Sequence, residues 1–287
     1  MACPGISGVL AQLYQAYKEI NSSTNPPSAL MKCILLNTAD DLGNPGPDFQ
    51  HGWGVVNALR AVKAIENSNH FSSSISQGLS NTHNITVPQG VKQLKLMVYW
   101  HDVEGNTSAN TALVNNINTQ IISPNGNINF PYVLNSNANA TSLNQNATYG
   151  TDNLNNMEQI VIDNPISGNY NLSVNGYSIP FGPQDYYVSY EFIDDNVELT
   201  YPLGGEGFVP LEYEAIRWDA NDNGNSFTLE YSINNGQSWS LIASNISPSQ
   251  RFHPWQVPNT VTSQAKIRIR SVSRIKRRIR YTFKRDY

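Results

Sequence analysis

Histidines, carboxylates and nucleophilic side chains are the residues from which this sequence could build a catalytic site. A hydrolytic nucleophile needs a base within hydrogen-bond reach and a third group that orients the base. The five histidines are His51, His70, His83, His101 and His253. Each is predicted to lie in a loop or at a strand end, and the adjacency of His101 and Asp102 demonstrates no pairing in space. The sequence therefore assigns no catalytic residue.

The two cysteines, Cys3 and Cys33, are too few for a disulfide framework or a zinc centre. We predict that both are small buried residues. A single bridge between them in an oxidising compartment is the alternative, although disulfide geometry is demanding.

The segment from Ser232 to Trp239 predicts a tight hairpin turn. Its residues, Ser-Ile-Asn-Asn-Gly-Gln-Ser-Trp, resemble the Asp-box Ser-x-Asp-x-Gly-x-x-Trp of sialidase propellers. Asn235-Gly236 suits the positive φ of such a turn, and Trp239 is expected to pack under it. A propeller would repeat the motif on several blades, and it occurs once here. We predict a structural role, since no acid and nucleophile carboxylate pair for glycoside hydrolysis stands out.

Helical periodicity marks the N-terminal segment that would have to position such chemistry. Apolar residues recur at three- and four-residue spacing over residues 4–20, which predicts an amphipathic helix. Pro4 fits the first turn, and Gly5 and Gly8 are expected to let a neighbouring backbone come close. A second helix is predicted from near Pro27 through Leu35 and a third over residues 58–65, so residues 1–67 should be mostly helical.

From about residue 72 the period changes from helical to two, which is typical of antiparallel β-sandwiches. We predict one sandwich over residues 72–195 and a second, of immunoglobulin-like length, over 196–273. The clearest predicted strands are 94–100, 113–122, 159–162, 170–174, 186–192, 197–201, 214–219, 227–232, 239–243 and 265–271.

Charge separates the last residues from the rest of the chain. Residues 266–285 carry ten of the 18 basic residues, so residues 1–265 hold 8 basic against 21 acidic groups, a formal charge of −13. This balance argues against a nucleic-acid-binding body. We interpret the basic tail at 274–287 as an artefact of a truncated or frame-shifted reading, with an electrostatic tether to an anionic surface as the alternative. Neither an 18-residue apolar run nor a leader at Met1 is visible.

The opening Met1-Ala2-Cys3-Pro4-Gly5-Ile6-Ser7-Gly8 resembles the subtilisin-family motif Gly-Thr-Ser-Met-Ala-x-Pro-x-x-x-Gly, in which serine is the nucleophile. The match begins one residue after that serine. In the family the serine starts a buried helix, whose N–H groups and dipole help to stabilise the oxyanion. The resemblance implies that Met1, Ala2 and Pro4 flank an active site whose nucleophile would precede Met1. The catalytic Asp and His and the oxyanion Asn would lie upstream.

A second match supports the first. Leu35-Leu36-Asn37-Thr38-Ala39, followed by Gly52-Trp53-Gly54-Val55-Val56-Asn57-Ala58, looks like the closing helix and turn of the same catalytic domain. A helical hairpin with a Gly-rich turn is the alternative, but it leaves the co-occurrence of both strings unexplained. Further on, residues 94–100, 113–116, 124–126 and 155–158 are similar to the jelly-roll-like sandwich that follows the catalytic domain in many bacterial subtilases.

That sandwich usually packs on the protease and stabilises it, sometimes with calcium. Relatives often have Asp where this chain has Asn116 and Asn118, and no dense carboxylate loop of the EF-hand kind is visible. We therefore assign no metal ligand and no cofactor. Calcium stays an alternative through the remaining carboxylates, which are Asp102, Asp152, Asp163 and Asp185.

Together these features predict the C-terminal fragment of a secreted subtilisin-like serine endopeptidase, inactive alone because the triad is absent. The expected fold class is α+β multidomain: a helical C-terminal remnant of a subtilisin-like α/β catalytic domain, then two mainly antiparallel β-sandwiches, jelly-roll-like and immunoglobulin-like. The expected partners are protein or peptide substrates of the full-length parent, with no nucleic acid, no membrane span and a monomeric state. The apolar faces of residues 1–67 should be exposed.

Two other function classes remain open. A binding module for surface glycans or protein partners would be supported by exposed aromatic residues on one sandwich face. Burial of Tyr99, Trp100, Trp218 and Trp255 would count against it. A purely structural spacer predicts neither a cleft nor an aromatic platform.

Overall fold

A computed structural model describes residues 2–194, 196–220 and 226–271. Met1 and the predicted basic tail at 274–287 lie outside these residues. The chain divides into two compact units, Met1–Ile193 and Asp194–Tyr287. The domain boundary expected near residues 194–196 stays a prediction. The predicted division between residues 1–67 and 72–195 lies inside the first unit and stays a prediction about ancestry.

Three helices precede the sheets of the first unit. They are α1 (Ala2–Ile20), α2 (Ser28–Asn37) and α3 (Ala58–Glu66), close to the three predicted ranges. The Asn57 side chain caps α3 by accepting a hydrogen bond from the Arg60 N–H at 3.0 Å. A search for bilayer-crossing helices among the described residues finds no segment with the length and apolarity required.

Ten strands and one short helix follow in the first unit. They are β1 (His70–Ile75), β2 (Ser80–Val87), β3 (Gln93–Trp100), β4 (Asn116–Ile122), β5 (Ile128–Asn129), β6 (Tyr132–Val133), α4 (Ala140–Leu143), β7 (Thr148–Tyr149), β8 (Met157–Asp163), β9 (Gly168–Ser178) and β10 (Gln184–Ile193). One four-stranded sheet has the order β1-β10-β3-β8, and the other has the order β2-β9-β4-β5. Strands β6 and β7 form a separate pair. All pairings between these strands are antiparallel.

The main core of the first unit is formed by residues from both four-stranded sheets. Trp100, Tyr170 and Tyr186 are its largest fully buried side chains. The Trp100 indole N–H donates to the carbonyl of Asn115 at 2.8 Å, so its polar atom is satisfied inside the core. Because side chains alternate along a strand, the opposite faces of the two sheets are free to contact other elements or water.

Helix α2 covers one of those faces. Helix α2 buries Ala29 and Cys33 against Met97 and Tyr99 of β3, which point away from the main core. Helix α3 packs beside it, with Ala61, Ala64 and Ile65 buried. The expectation that the apolar faces of residues 1–67 are exposed is therefore wrong for α2 and α3, because a sheet of the sandwich covers α2, and helices α1 and α2 cover α3.

Buried polar groups connect α2 to this sheet. The Lys95 ammonium donates to the carbonyl of Ala39 at 2.7 Å and lies 3.4 Å from the Glu191 carboxylate. The amide of Asn37 donates to the carbonyl of Lys95 at 3.4 Å and accepts from the amide of Gln159 at 3.2 Å. Burial raises the pKa of Glu191, and the neighbouring Lys95 charge opposes that rise.

The turn between α2 and α3 requires glycine at one position. The backbones of Asp40 and Val55 exchange two hydrogen bonds of 2.8 Å. Gly54, the residue before Val55, has a φ of +100°, and a Cβ there would clash with the carbonyl oxygen of Asp40. The Asp40 carboxylate then accepts from Asn57 at 3.1 Å and pairs with Arg60 at 3.0 Å. The Gly-rich string thus closes the turn and fixes the start of α3.

The second unit contains two three-stranded sheets. Its strands are β11 (Val197–Tyr201), β12 (Tyr213–Ala220), β13 (Phe227–Ser232), β14 (Ser240–Ile246), β15 (Phe252–Gln256) and β16 (Lys266–Ser271), in the orders β11-β12-β15 and β14-β13-β16. Trp218, Phe227 and Trp255 lie in its core. Strand β15 is an edge strand and carries Pro254 opposite Ala215 of β12.

One carboxylate is fully buried between the two sheets of the first unit. Glu158 of β8 accepts hydrogen bonds from the backbone N–H and the hydroxyl of Thr119 through Oε2, whereas its Oε1 has no partner in the described chain. Desolvation raises the pKa of Glu158 to about 8 from an ordinary value of 4.5. Between pH 4.5 and about 8, the folded state therefore holds a proton on Glu158 that the unfolded state releases.

We predict that this proton makes stability depend on pH. Because the folded pKa of Glu158 is raised, its contribution is fully present below pH 4.5 and is lost as the pH rises to about 8. The loss between pH 5 and pH 8.5 should be about 4 kcal/mol, and Glu158→Gln should abolish it. Calorimetric unfolding at pH 5 and pH 8.5 measures the difference, with Glu104→Gln on the surface as control. An unchanged pH dependence in Glu158→Gln would refute the assignment.

We also predict that Gly54→Ala destabilises the first unit. The new Cβ would clash with the Asp40 carbonyl at a positive φ, so the cost should be about 2–4 kcal/mol. Gly52 is the matched control: its φ is also positive, at +64°, but no atom lies within 4 Å of a Cβ there. Gly52→Ala should therefore cost only about 1 kcal/mol. Equal losses of Tm in the two variants would contradict the close-contact explanation.

Candidate functional site

The first turn of α1 is where the sequence places the residues that would flank an active site. The helix begins at Ala2, and Cys3, Pro4 and Gly5 are exposed. Met1 is outside the described residues. A Cβ on Gly5 or Gly8 would meet no atom within 4 Å, so the expectation that a neighbouring backbone comes close there is wrong for this chain.

Helix α1 is held mainly by its second half. Leu13 is fully buried, and it packs with Leu30, Met31 and Ile34 of α2 and with α3. Before Leu13, each position of α1 whose burial the structure describes is exposed or half-buried. The first two turns, which precede the packed residues Val9 and Leu10, therefore extend past the helices that support the rest of α1. A site at this end would lack walls within the described chain.

At this end of α1, the groups that could take part in chemistry are the backbone N–H groups of the helix terminus. Unsatisfied N–H groups and the helix dipole attract negative charge, but water screens this effect at an exposed end. No catalytic nucleophile is assigned within the described residues. An exposed helix end of this kind can assist catalysis only where other groups enclose it and supply the base.

The two cysteines do not form a bridge. Both thiols are free, with Cys3 exposed and Cys33 buried. The predicted burial is therefore confirmed for Cys33 and wrong for Cys3. Desolvation raises the pKa of the Cys33 thiol far above its ordinary value, so this thiol stays protonated. It packs between α2 and the first sheet, 3.5 Å from the carbonyls of Met97 and Tyr187.

One histidine lies beside a buried carboxylate. Asp48 accepts from the backbone N–H groups of His51, Gln50 and Asn44 at 2.6, 2.7 and 3.0 Å, and the His51 ring lies 3.4 Å from it. The His51 N–H contributes most to lowering the pKa of Asp48. Within the described chain, the His51 ring makes no hydrogen bond to a hydroxyl or thiol. The pair lacks a nucleophile, and Asp48 organises the turn.

Two other histidines have structural contacts. The ring of His83 lies 2.6 Å from the buried hydroxyl of Tyr186 and packs on Phe71. Desolvation lowers its pKa. His70 packs near Tyr17 of α1, and burial likewise lowers its pKa. His83 lies inside β2, so its prediction as a loop or strand-end residue is wrong. These contacts support structural roles for both side chains.

The four carboxylates that sequence analysis left as calcium candidates have separate roles. Asp102 accepts from the N–H groups of Val114 and Asn115 at 2.7 and 2.8 Å. Asp152 accepts hydrogen bonds from the N–H groups of Leu154 and Asn155 and so stabilises its own turn. Asp163 accepts from Gln93 at 2.8 Å, and Asp185 is an exposed residue of β10. Among the described residues, no group of three or more His, Cys, Asp or Glu side chains could share a metal ion.

The hairpin between β13 and β14 confirms the predicted turn. Asn235 and Gly236 have φ values of +57° and +85°. The Ser232 hydroxyl accepts from the Gly236 N–H at 2.8 Å, and the Trp239 indole donates to the Gly236 carbonyl at 3.1 Å. Arg268 lies over the Trp239 ring at 3.9 Å. These contacts are structural and leave no catalytic group in the turn.

The aromatic residues named as a test of a binding module are buried. Tyr99, Trp100, Trp218 and Trp255 are each at most 8% exposed, which counts against a platform built from them. Sequence analysis did not identify the buried Asp48 or Lys95, whose roles come from the fold. It also missed the alternation of small polar residues along β2 and β9. That alternation is a readable signal, since residues two apart share one face of a strand.

Comparison with protein families matches the N-terminal segment of the chain. Residues 1–54 match the subtilase family of peptidases, and these are 54 of the 287 residues in the chain. The matched range covers α1, α2 and the turn that holds Asp48 and Gly54. The match supports a relation to subtilisin-like serine peptidases, which are hydrolases acting on peptides.

Two solved structures show weak likeness. The adhesin domain of Epf from Streptococcus pyogenes is 10% identical, with 66% of this chain and 65% of that chain covered and a TM-score of 0.25. A protein from Eubacterium rectale is 8% identical, with 88% of this chain and 80% of that chain covered and a TM-score of 0.28. This chain thus spans just under two thirds of the adhesin domain, and at these TM-scores neither likeness carries an argument. The subtilase match over residues 1–54 is the relation on which a function can be argued.

Proposed function

We propose that this chain is the C-terminal part of a secreted subtilisin-like serine endopeptidase. In this proposal residues 1–67 complete the peptidase domain, and the nucleophile belongs immediately before Met1, flanked by Met1, Ala2 and Pro4. The observation that carries the proposal is the subtilase match of residues 1–54. The parent would hydrolyse peptide bonds through an acyl-enzyme and act outside the cell on protein or peptide substrates.

The packing of α1 supports the proposal that the rest of the catalytic site belongs to the parent enzyme. Its second half is anchored through Leu13, whereas Cys3, Pro4, Gly5 and Gly8 have no covering element in the described chain. Helix N–H groups stabilise an oxyanion strongly only in an enclosed, low-dielectric site. The chain alone is therefore inactive in this proposal, and the parent supplies both the enclosure and the catalytic Asp, His and Ser.

The β units would stabilise the peptidase part. For the first unit, the two four-stranded sheets β1-β10-β3-β8 and β2-β9-β4-β5 support a jelly-roll assignment. For the second, two three-stranded antiparallel sheets around Trp218 support an immunoglobulin-like one. Helix α2 and β3 share buried contacts through Cys33, Met97 and Lys95, so unfolding of the first sandwich would release the peptidase-like helices.

The proposal predicts that the purified 287-residue chain does not react with a fluorescent serine-directed phosphonate and does not cleave casein. The physical reason is that no hydroxyl in the described chain is assigned as a nucleophile with a histidine base. In-gel fluorescence and casein digestion measure this, with a commercial subtilisin as the positive control. Labelling of the chain at one serine, together with casein cleavage, would contradict its proposed inactivity.

The parent itself is tested by reading the DNA upstream of the Met1 codon. We expect an open frame that encodes Gly-Thr-Ser directly before Met1 and, further upstream, the catalytic Asp and His. A ribosome-binding site and an in-frame stop codon immediately ahead of Met1 would overturn the proposal that the chain is a fragment. The subtilase match of residues 1–54 would stand in either case.

A further inference from the structure

The outward face of the sheet β2-β9-β4-β5 has an unusual composition. Along β2 its four outward residues, at every second position from Ser80 to Thr86, read Ser-Thr-Asn-Thr. Along β9 the four from Asn169 to Asn175 read Asn-Asn-Ser-Asn. The pairing places these residues opposite one another, for example Thr82 beside Ser173. The face is therefore a two-dimensional array of hydroxyl and amide groups.

None of these outward positions, all of which the structure describes, carries a charged residue. The array continues on β4 through Asn118 and Gln120, which pair with residues of β9. It ends in an apolar corner at Ile122. A water-facing sheet surface in a soluble protein normally includes charged side chains, because they favour solubility. Their absence from three adjacent strands makes this face chemically distinct.

Some side chains of the array are fixed, and others are free to bind. The hydroxyl of Ser80 donates to the amide oxygen of Asn175 at 2.6 Å, and Thr86 donates to Asn169 at 2.8 Å. Between these two pairs, the exposed side chains of Thr82, Asn84 and Asn171 make no hydrogen bond within the described chain. The middle of the face thus presents unused donors and acceptors on a rigid backbone.

An exposed aromatic ring lies at one end of the same strand. Tyr177 follows Asn175 at a bulge in β9 and is 64% exposed. Its backbone is held, because Gln77 donates to its carbonyl at 3.0 Å and the N–H of Gly176 donates to the carbonyl of Leu79 at 3.0 Å. An exposed ring on a held backbone can stack on an apolar face of a ligand.

We propose that this face, with Tyr177 at its end, binds a neutral polysaccharide chain. Hydroxyls and amides match the vicinal hydroxyl groups of a sugar, and the strand spacing of about 4.8 Å repeats them on a scale comparable with a sugar unit. An anionic ligand would call for Lys or Arg, and the outward positions of β2, β4 and β9 carry neither. A protein partner would need an apolar centre, whereas the middle of this face is polar. The inference does not depend on the proposed protease parent.

The test is affinity gel electrophoresis of the full 287-residue chain in gels containing barley β-glucan, xyloglucan, galactomannan or dextran. Retardation by at least one of these neutral polymers is expected, whether or not polygalacturonate, which the basic residues at 266–285 can attract, also retards the chain. If none of the four neutral polymers retards the chain, the proposal is overturned. Retardation by polygalacturonate alone would overturn it as well, since it would point to a cationic site elsewhere.

Variants locate the site. Thr82→Lys puts a charged side chain in the middle of the face, and Tyr177→Ala removes the ring; each should weaken binding about ten-fold. Ser72→Lys is the matched control, because Ser72 is an exposed hydroxyl residue on β1 of the other sheet. Unchanged Tm values show that the variants fold. Equal weakening by Ser72→Lys, or undiminished binding by Thr82→Lys, would place the site elsewhere.

Discussion

A buried ammonium group sets the relation between the helices and the sandwich in the first unit. Lys95 comes from the middle of β3, and its charge can remain buried only because the Ala39 carbonyl and the Glu191 carboxylate surround it. Both partners are needed at once: Ala39 follows α2, and Glu191 lies on the neighbouring strand β10. A shift of α2 along the sheet would remove the Ala39 carbonyl, which is the nearer partner of the ammonium, and leave it only the Glu191 carboxylate at 3.4 Å, so this network favours one position of α2. Helices α1 and α3, which pack on α2, depend on it in turn.

The sequence predicted the apolar elements well and the polar ones poorly. The ranges expected for α3, β3, β11 and β13 agree with the structure to within about two residues at each end, because their apolar spacing is regular. Strands β1 and β2 were missed, since their Ser, Thr, Asn and His residues resemble loop composition. Strand β15 was missed as well, because Pro254 argues against a strand in sequence.

The sequence could predict the candidate site only where a short motif determines the local structure. The glycine and asparagine of the string at 52–58 have local roles, a tight turn and a helix cap, and such roles can be read from sequence. The partner that covers α2 could not be read in the same way. Its apolar face fits a parallel sheet of a peptidase as well as the sheet it contacts here, because hydrophobic burial is not directional. Only the buried polar partners of Lys95 distinguish these arrangements, and they are far apart in sequence.

Pro254 on the edge strand β15 affects how the second unit behaves at high concentration. An exposed strand edge is a template onto which another chain can add by backbone hydrogen bonding. Proline has no N–H to donate, so the free edge of β15 has a gap in the middle of its five residues. A strand from another molecule could not form a continuous ladder there. The residue that concealed this strand in the sequence thus protects the folded unit against edge-to-edge aggregation.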